Sequence, residues 1–128
     1  MPELHLGQPG ERTRSLEEFF KTLQHLEELP ILSVLPGHGD PVQHFRQRIA
    51  IVRGEHLLRL RKVLASLGNG LTAYQLAGKL YGKIGGWNIF LAMAETCAHL
   101  DYLVDRNLVQ ECAGPSGSIV YLPNNHPA

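Results

Sequence analysis

Residues 98–122 read AHLDYLVDRNLVQECAGPSGSIVYL, and within them a helical pattern changes to two strand patterns. The apolar side chains of the first part recur at helical spacing and complete a helix predicted over about Asn88–Arg106. Two short strands are predicted at Leu108–Cys112 and Ser118–Leu122, because Gly114-Pro115-Ser116-Gly117 between them is typical of a hairpin connection. A helix followed by a hairpin predicts a mainly α domain with a small β wing, which is an α+β fold.

Two further helices are predicted before this segment. Thr72-Ala73-Tyr74-Gln75 has the form of a capping box and predicts a short helix that runs to about Tyr81. A longer helix is predicted over Val42–Leu67, and Gly68-Asn69-Gly70 after it is typical of a helix C-terminus. Its predicted buried stripe consists of Phe45, Ile49, Val52, His56, Leu60, Val63 and Leu67.

The first part of the chain combines a helix with a strand. A short extended segment is predicted at Leu4–Leu6. Ser15-Leu16-Glu17-Glu18 has the capping-box form, and a helix is predicted over about Leu16–Glu28. A short strand is predicted at Ile31–Leu35, because the apolar run is followed by the turn residues Pro36-Gly37-His38-Gly39-Asp40-Pro41.

Three helices followed by a two-stranded wing form the element order of a winged-helix domain. Ala98-His99-Leu100-Asp101-Tyr102-Leu103-Val104, with Asn107-Leu108-Val109 and Ile119-Val120-Tyr121 after it, resembles the HLxxLxxxGLV…VxY ending of winged-helix proteins. This resemblance covers about Glu55 to Leu122. It specifies the fold more than the function, because DNA-binding regulators and protein-interaction modules share it.

The loop Leu35-Pro36-Gly37-His38-Gly39-Asp40-Pro41 resembles the last metal-ligand loop of the metallo-β-lactamase fold. Hydrolases of the LACTB-like type in that family carry a C-terminal winged helix joined by a long basic helix. Together the resemblances cover nearly the whole chain and imply two parts. Residues 1–42 would be a helix and strand remnant of the αββα fold with the metal loop, and residues 43–128 the linker helix and winged helix.

The resemblance implies that His38 is a metal ligand in an intact zinc-dependent hydrolase. The other ligands of the family are absent: none of the seven histidines has H-x-H spacing, and the resemblance places the H-x-H-x-D-H loop N-terminal to Met1. A zinc site needs three or four protein ligands, and one imidazole supplies too few. We therefore expect a truncated, non-catalytic segment with no catalytic or cofactor-binding residues and no zinc of its own.

The charge of the chain is zero in total but uneven along the sequence. Residues 1–42 have three cations against seven carboxylates, whereas residues 43–66 have six cations against Glu55 alone. A chain-wide attraction for nucleic acid is therefore not expected. The six cations do not form one tight patch around the helical wheel, so a solvated face and a contact with RNA or DNA both remain open.

A winged helix that binds DNA needs several cations on its third helix and wing. Arg106 is the only cation between Asn88 and Arg106, and residues 107–122 contain no Lys or Arg. The sequence therefore disfavours nucleic-acid binding by the winged helix and favours a role at the substrate entrance or in protein interaction. A stand-alone winged-helix DNA-binding regulator or interaction module is the alternative.

Several single residues carry narrower predictions. His56 on the apolar stripe predicts a buried histidine that is hydrogen-bonded to a neighbour, and with Arg59 it resembles a family H-x-x-R pair that ties the linker helix to the catalytic domain. Trp87 and Phe90 are predicted to be core or interface anchors. Cys97 and Cys112 are predicted to be buried apolar fillers.

The predicted location is the cytoplasm. The first residues have neither the basic start nor the apolar core of a secretory signal, and the chain contains no apolar run of about 18 to 20 residues. The strand at Ile31–Leu35 would leave an apolar edge without the sheet of the parent fold. A homodimer, or contact with the missing catalytic domain, is therefore expected.

Overall fold

The computed structural model describes residues 14–31, 34–35, 37–41, 43–83 and 85–124. Within these ranges the chain forms four α-helices followed by one antiparallel hairpin, which confirms the predicted α+β class. The helices are α1 (Ser15–Glu28), α2 (Phe45–Ser66), α3 (Ala73–Tyr81) and α4 (Asn88–Asp105), and the strands are β1 (Val109–Ala113) and β2 (Ile119–Pro123). The extended segment predicted at Leu4–Leu6 lies outside the described residues.

The hairpin lies one residue further along the chain than the sequence pattern predicts. Val109 is opposite Pro123, and Glu111 is opposite Tyr121. The turn is a short 3-10 segment in which Ser116 has a φ of 58°, a conformation that non-glycine residues adopt only rarely. Leu71, just before α3, exchanges two backbone hydrogen bonds with Tyr121 and so fixes β2 against the start of that helix.

Gly70 directly precedes Leu71, and the close approach of the backbone to β2 requires a glycine at this position. Its φ is +121°, and a Cβ at this position would lie 2.8 Å from both the Leu122 and the Val120 side chains. Only a residue without a side chain permits the backbone to pass so close to β2.

One apolar core joins all four helices and the hairpin. The predicted stripe of α2 is largely confirmed, because Ile49, Leu60 and Val63 are buried, whereas Val52 and His56 are half-buried. Cys97 is buried as predicted, and Cys112 is half-buried. The buried members of the main cluster are Leu16, Leu60, Val63, Leu67, Leu76, Ala98, Leu100, Leu103, Val109 and Tyr121.

Helix α1 packs on α2 and α4 instead of standing apart from them. Leu16 belongs to the main cluster, and Leu23 forms a second cluster with Phe45 and Ile49 of α2. Arg53 of α2 also forms an ion pair with Glu27 of α1 at 2.7 Å. The predicted division of the chain at residues 42 and 43, and the winged-helix assignment of the second part, stay predictions.

The two predicted capping boxes have different outcomes. The Thr72 box is confirmed: Gln75 N–H donates to Thr72 Oγ1, and the Thr72 N–H donates to Gln75 Oε1. The Ser15 box is wrong, because Arg14 occupies the N-cap position and no side chain caps α1. Ser15 is already the first helical residue, so its hydroxyl is not placed to accept a hydrogen bond from the free backbone N–H groups of the first turn.

The region around the predicted strand Ile31–Leu35 has no continuous strand among its described residues. Val34 takes part in an isolated bridge, Ile31 and Leu35 have no strand structure, and residues 32 and 33 lie outside the described ranges. Leu35 is 78% exposed. Trp87 and Phe90 are also exposed, Trp87 by 82%, so of the two predicted roles a place in the core is wrong, and a role as interface anchors stays a prediction.

Candidate functional site

The loop that carries His38 is exposed and bent. Residues 37–40 form successive bends. Gly39, directly after the histidine, has a φ of +87°, a conformation that glycine adopts readily because it has no side chain. No group of three or more potential ligands in the described ranges includes His38. The described residues around this loop therefore do not make up the metal site that the family resemblance implies, and the ligand role of His38 stays a prediction.

A different cluster brings together three residues that can bind a metal or a proton. His56 extends from α2, and Glu95 and His99 lie one turn apart on α4. The His56 Nδ1 and His99 Nε2 atoms are 3.3 Å apart. The Glu95 Oε1 atom lies 4.0 Å from His56 Nδ1 and 3.8 Å from His99 Nδ1. Each residue offers one ligand atom, and these atoms lie within 4.8 Å of one another.

Hydrogen bonds set the orientation of the two imidazoles. His99 Nδ1 is 2.7 Å from the backbone carbonyl oxygen of Glu95, an acceptor, so this nitrogen donates. A neutral His99 then has a lone pair on Nε2, which accepts from His56 Nδ1–H. The prediction of a hydrogen-bonded neighbour for His56 is confirmed, although His56 itself is half-buried.

Apolar and basic side chains surround the cluster. The Phe19 and Phe20 rings meet the His56 ring edge-on, with centroids 5.2 and 6.0 Å away. Burial is the main reason why the pKa of His56 is lowered, and neighbouring His99 lowers it further. Burial also lowers the pKa of His99, and Arg59 adds to that effect. Both imidazoles are thus held neutral at pH 7, with lone pairs available to a proton or a metal ion.

Acid is expected to destabilise the domain through this pair. Above the ordinary histidine pKa of 6.5, the folded and unfolded chains are both neutral here, so the pair contributes no pH dependence. As the pH falls through 6.5, the two histidines become protonated in the unfolded chain while they stay neutral in the folded chain. The free energy of unfolding therefore decreases. Urea titrations with a chelator present, between about pH 7.5 and 5, measure this decrease.

A His56→Gln variant is expected to lose less stability over the same pH range, because one of the two lowered pKa values is removed. His25→Gln on α1 is the matched control, since no hydrogen bond joins His25 to the pair. Equal pH slopes for the two variants would contradict the assignment of the acid effect to this pair.

The pair His56 and Arg59 contacts other parts of the same chain. Arg59 donates a hydrogen bond to the hydroxyl of Tyr81 at the end of α3, and its guanidinium lies 5.0 Å from the centroid of that ring. Burial raises the pKa of Tyr81. The contact that the structure shows for the H-x-x-R pair is therefore between α2, α3 and α4, whereas contact with a catalytic domain stays a prediction.

The basic side chains of α2 divide into two groups. Arg46 donates to the Leu29 carbonyl oxygen at 2.9 Å, Arg53 pairs with Glu27, and Arg59 binds Tyr81, so these three hold α1 and α3 against α2. The hydrogen bond from Arg53 is the main reason why the pKa of Glu27 is lowered. The other three, Arg48, Arg61 and Lys62, are exposed. Half of the basic residues of this helix therefore have structural contacts.

Glu95 and His99 are not among the site residues predicted from the sequence. Their spacing of four residues places them on one face of α4, and His56 stands on the apolar stripe of α2. These two signals are visible in the sequence, but only the packing of α2 on α4 shows that they converge.

The chain resembles one part of several larger proteins. No protein-family model matches the sequence. The chain is 30% identical over 104 residues to the probable metallo-hydrolase YqjP of Bacillus subtilis (strain 168), a match that covers 80% of this chain and 33% of that protein. The chain thus spans about a third of the length of this relative.

Two solved structures are similar in fold and sequence. A metallo-β-lactamase family protein from Thermus thermophilus matches with a TM-score of 0.71 and 32% identity, over 86% of this chain and 34% of that chain. A β-lactamase domain protein from Burkholderia ambifaria matches with a TM-score of 0.78 and 26% identity, over 87% and 34% of the two chains. None of the described helices combines the length and the apolar character of a membrane span.

Proposed function

We propose that this chain is the C-terminal, non-catalytic segment of a metal-dependent hydrolase of the LACTB-like type. The relative and the two solved structures support an origin in the metallo-β-lactamase family. The observation that carries the proposal is the position of His38. It lies exposed on a bent loop, and no potential ligand group within the described ranges contains it. In the intact enzyme, His38 would complete a zinc site whose other ligands belong to the catalytic domain, and the substrate would be a thioester, a phosphodiester or RNA.

The part of the chain from about Glu55 in α2 to Leu122 in β2 would then act as a winged helix at the substrate entrance or in an interface. Arg106 at the end of α4 lies 3.5 Å from the centroid of the Tyr102 ring, so this cation is already engaged. The wing has no Lys or Arg. These features support contact with a protein or a substrate entrance over contact with a phosphate backbone.

Exposed apolar side chains are available for such a contact. Ile51 and Leu58 are exposed and lie two turns apart on the same face of α2, and Leu35 is exposed beside the His38 loop. A catalytic domain or a second copy of this chain would cover them. We also propose a cytoplasmic location for the complete protein.

The test is an activity assay on the purified chain with Zn²⁺ in excess. We expect no turnover of a model thioester, a phosphodiester or RNA above the buffer rate, because the chain supplies one family ligand. Turnover by the wild-type chain that disappears in His38→Ala would contradict the proposal. The coding DNA upstream of Met1 is expected to contain an in-frame H-x-H-x-D-H motif.

Exposed aromatic residues favour a second candidate, a stand-alone protein-interaction module. The centroids of the Trp87 and Phe90 rings are 5.5 Å apart at the start of α4, and both side chains are exposed. Exposed aromatic pairs are frequent anchors of interfaces. The version of this candidate that binds DNA predicts a salt-dependent gel shift with duplex DNA, whereas the hydrolase segment predicts none at low salt.

A further inference from the structure

We propose that His56, Glu95 and His99 bind one divalent transition-metal ion, with Zn²⁺ as the best-suited ion, between α2 and α4. This site is separate from the His38 loop and does not depend on the proposed function. It departs from the expectation, drawn from the sequence, that the chain binds no zinc of its own. Two imidazoles and one carboxylate are a donor set that zinc binds in proteins.

The separation of the imidazoles fits a shared metal ion. Zn–N bonds of about 2.0–2.1 Å at a tetrahedral angle place two ligand nitrogens about 3.3–3.4 Å apart. The His56 Nδ1 and His99 Nε2 atoms are 3.3 Å apart. The ion would take the place of the hydrogen between them, and His56 would move its proton from Nδ1 to Nε2 without a change of charge.

Glu95 supplies the third ligand and a reason for a cation at this place. Its Oε2 atom is buried and has no hydrogen-bond partner among the described residues. A buried carboxylate oxygen without a partner costs free energy, and a cation bound by either oxygen of the Glu95 carboxylate offsets part of that cost. The Oε1 atom lies 4.0 Å from His56 Nδ1, and the ligand atoms of the three residues lie within 4.8 Å of one another, so a rotation of the Glu95 side chain is needed to bring the carboxylate to a tetrahedral ligand spacing of about 3.4 Å.

The surroundings of the three residues also fit a metal site. His99 Nδ1 donates to the Glu95 carbonyl oxygen, and a hydrogen bond of this kind orients the imidazole of most metal-binding histidines. His99 is fully buried, whereas the His56 and Glu95 side chains are 16% and 15% exposed, so an ion can reach the cluster from the side of these two residues. Arg59 nearby reduces the attraction for a cation, so we expect moderate affinity.

The experiment is a calorimetric titration of the chelator-treated full chain with Zn²⁺. We expect one equivalent to bind and, at a free concentration about 100 times the Kd, the Tm to rise by about 5 °C or more. His56→Gln and Glu95→Gln are expected to weaken binding by about tenfold or more. His38→Ala is the matched control and is expected to bind as the wild type does.

Two further measurements keep the test decisive. Circular dichroism checks that each variant is folded, and the imidazole resonances of His56 and His99 in the wild-type chain are expected to shift when Zn²⁺ binds. The proposal is overturned if the wild-type chain binds no zinc, if folded His56→Gln and Glu95→Gln both retain full affinity, or if His38→Ala alone abolishes binding. None of these results bears on whether the chain lacks hydrolase activity.

Discussion

A Leu16→Ala substitution is expected to lower the free energy of unfolding of the whole domain by about 2–5 kcal/mol, as truncation of a fully buried leucine does. Leu16 is 1% exposed and lies in the same cluster as Val63 of α2 and Leu100 of α4. Truncation of its side chain leaves a cavity between α1 and the other helices. Urea unfolding followed by helix circular dichroism measures the change.

Leu35→Ala is the control for this substitution, because Leu35 is exposed and its truncation is expected to change stability by less than about 0.5 kcal/mol. The comparison also examines the predicted division between residues 42 and 43. If Leu16→Ala unfolds at the same urea concentration as Leu35→Ala, α1 does not share a core with α2 and α4, and the fold described above is contradicted.

An Arg14→Met substitution is expected to destabilise the domain by about 1–3 kcal/mol. Arg14 Nη1 lies 3.4 Å from Asp101 Oδ2, and Arg14 Nε lies 2.9 Å from Asp105 Oδ2. The Asp101 side chain is only 3% exposed, so its negative charge is costly to bury. Loss of the Arg14 cation removes part of the attraction that offsets this cost. The effect is smaller than for a fully buried pair, because the Arg14 side chain is 41% exposed.

The matched control is Lys21→Met, which removes a cation that pairs with Glu17 at 3.9 Å on the exposed surface of α1. We expect a change below about 0.5 kcal/mol, since exposed pairs contribute little. Thermal unfolding of both variants under one buffer condition provides the comparison. Equal effects of the two substitutions would show that Asp101 does not depend on Arg14.

The contacts of Arg14 also explain why one capping prediction is wrong and the other is confirmed. The Thr72 box depends on two residues three positions apart, and both of its hydrogen bonds form in the fold. At the start of α1, the ion pairs of Arg14 with two residues of α4 hold the N-cap. Such a contact joins residues that are far apart in sequence, so a local motif does not reveal it.

The helices, the hairpin and the apolar stripe of α2 are predictable from the sequence, because they follow from periodicity and turn residues over a few positions. The family resemblance that the relative and the solved structures support is also visible in the sequence. The place of Leu16 in the main core and the exposure of Trp87 depend on how the helices pack against one another, which no local pattern reveals. The same holds for the meeting of His56 with Glu95 and His99, since a site built from two helices exists only once their faces pack together.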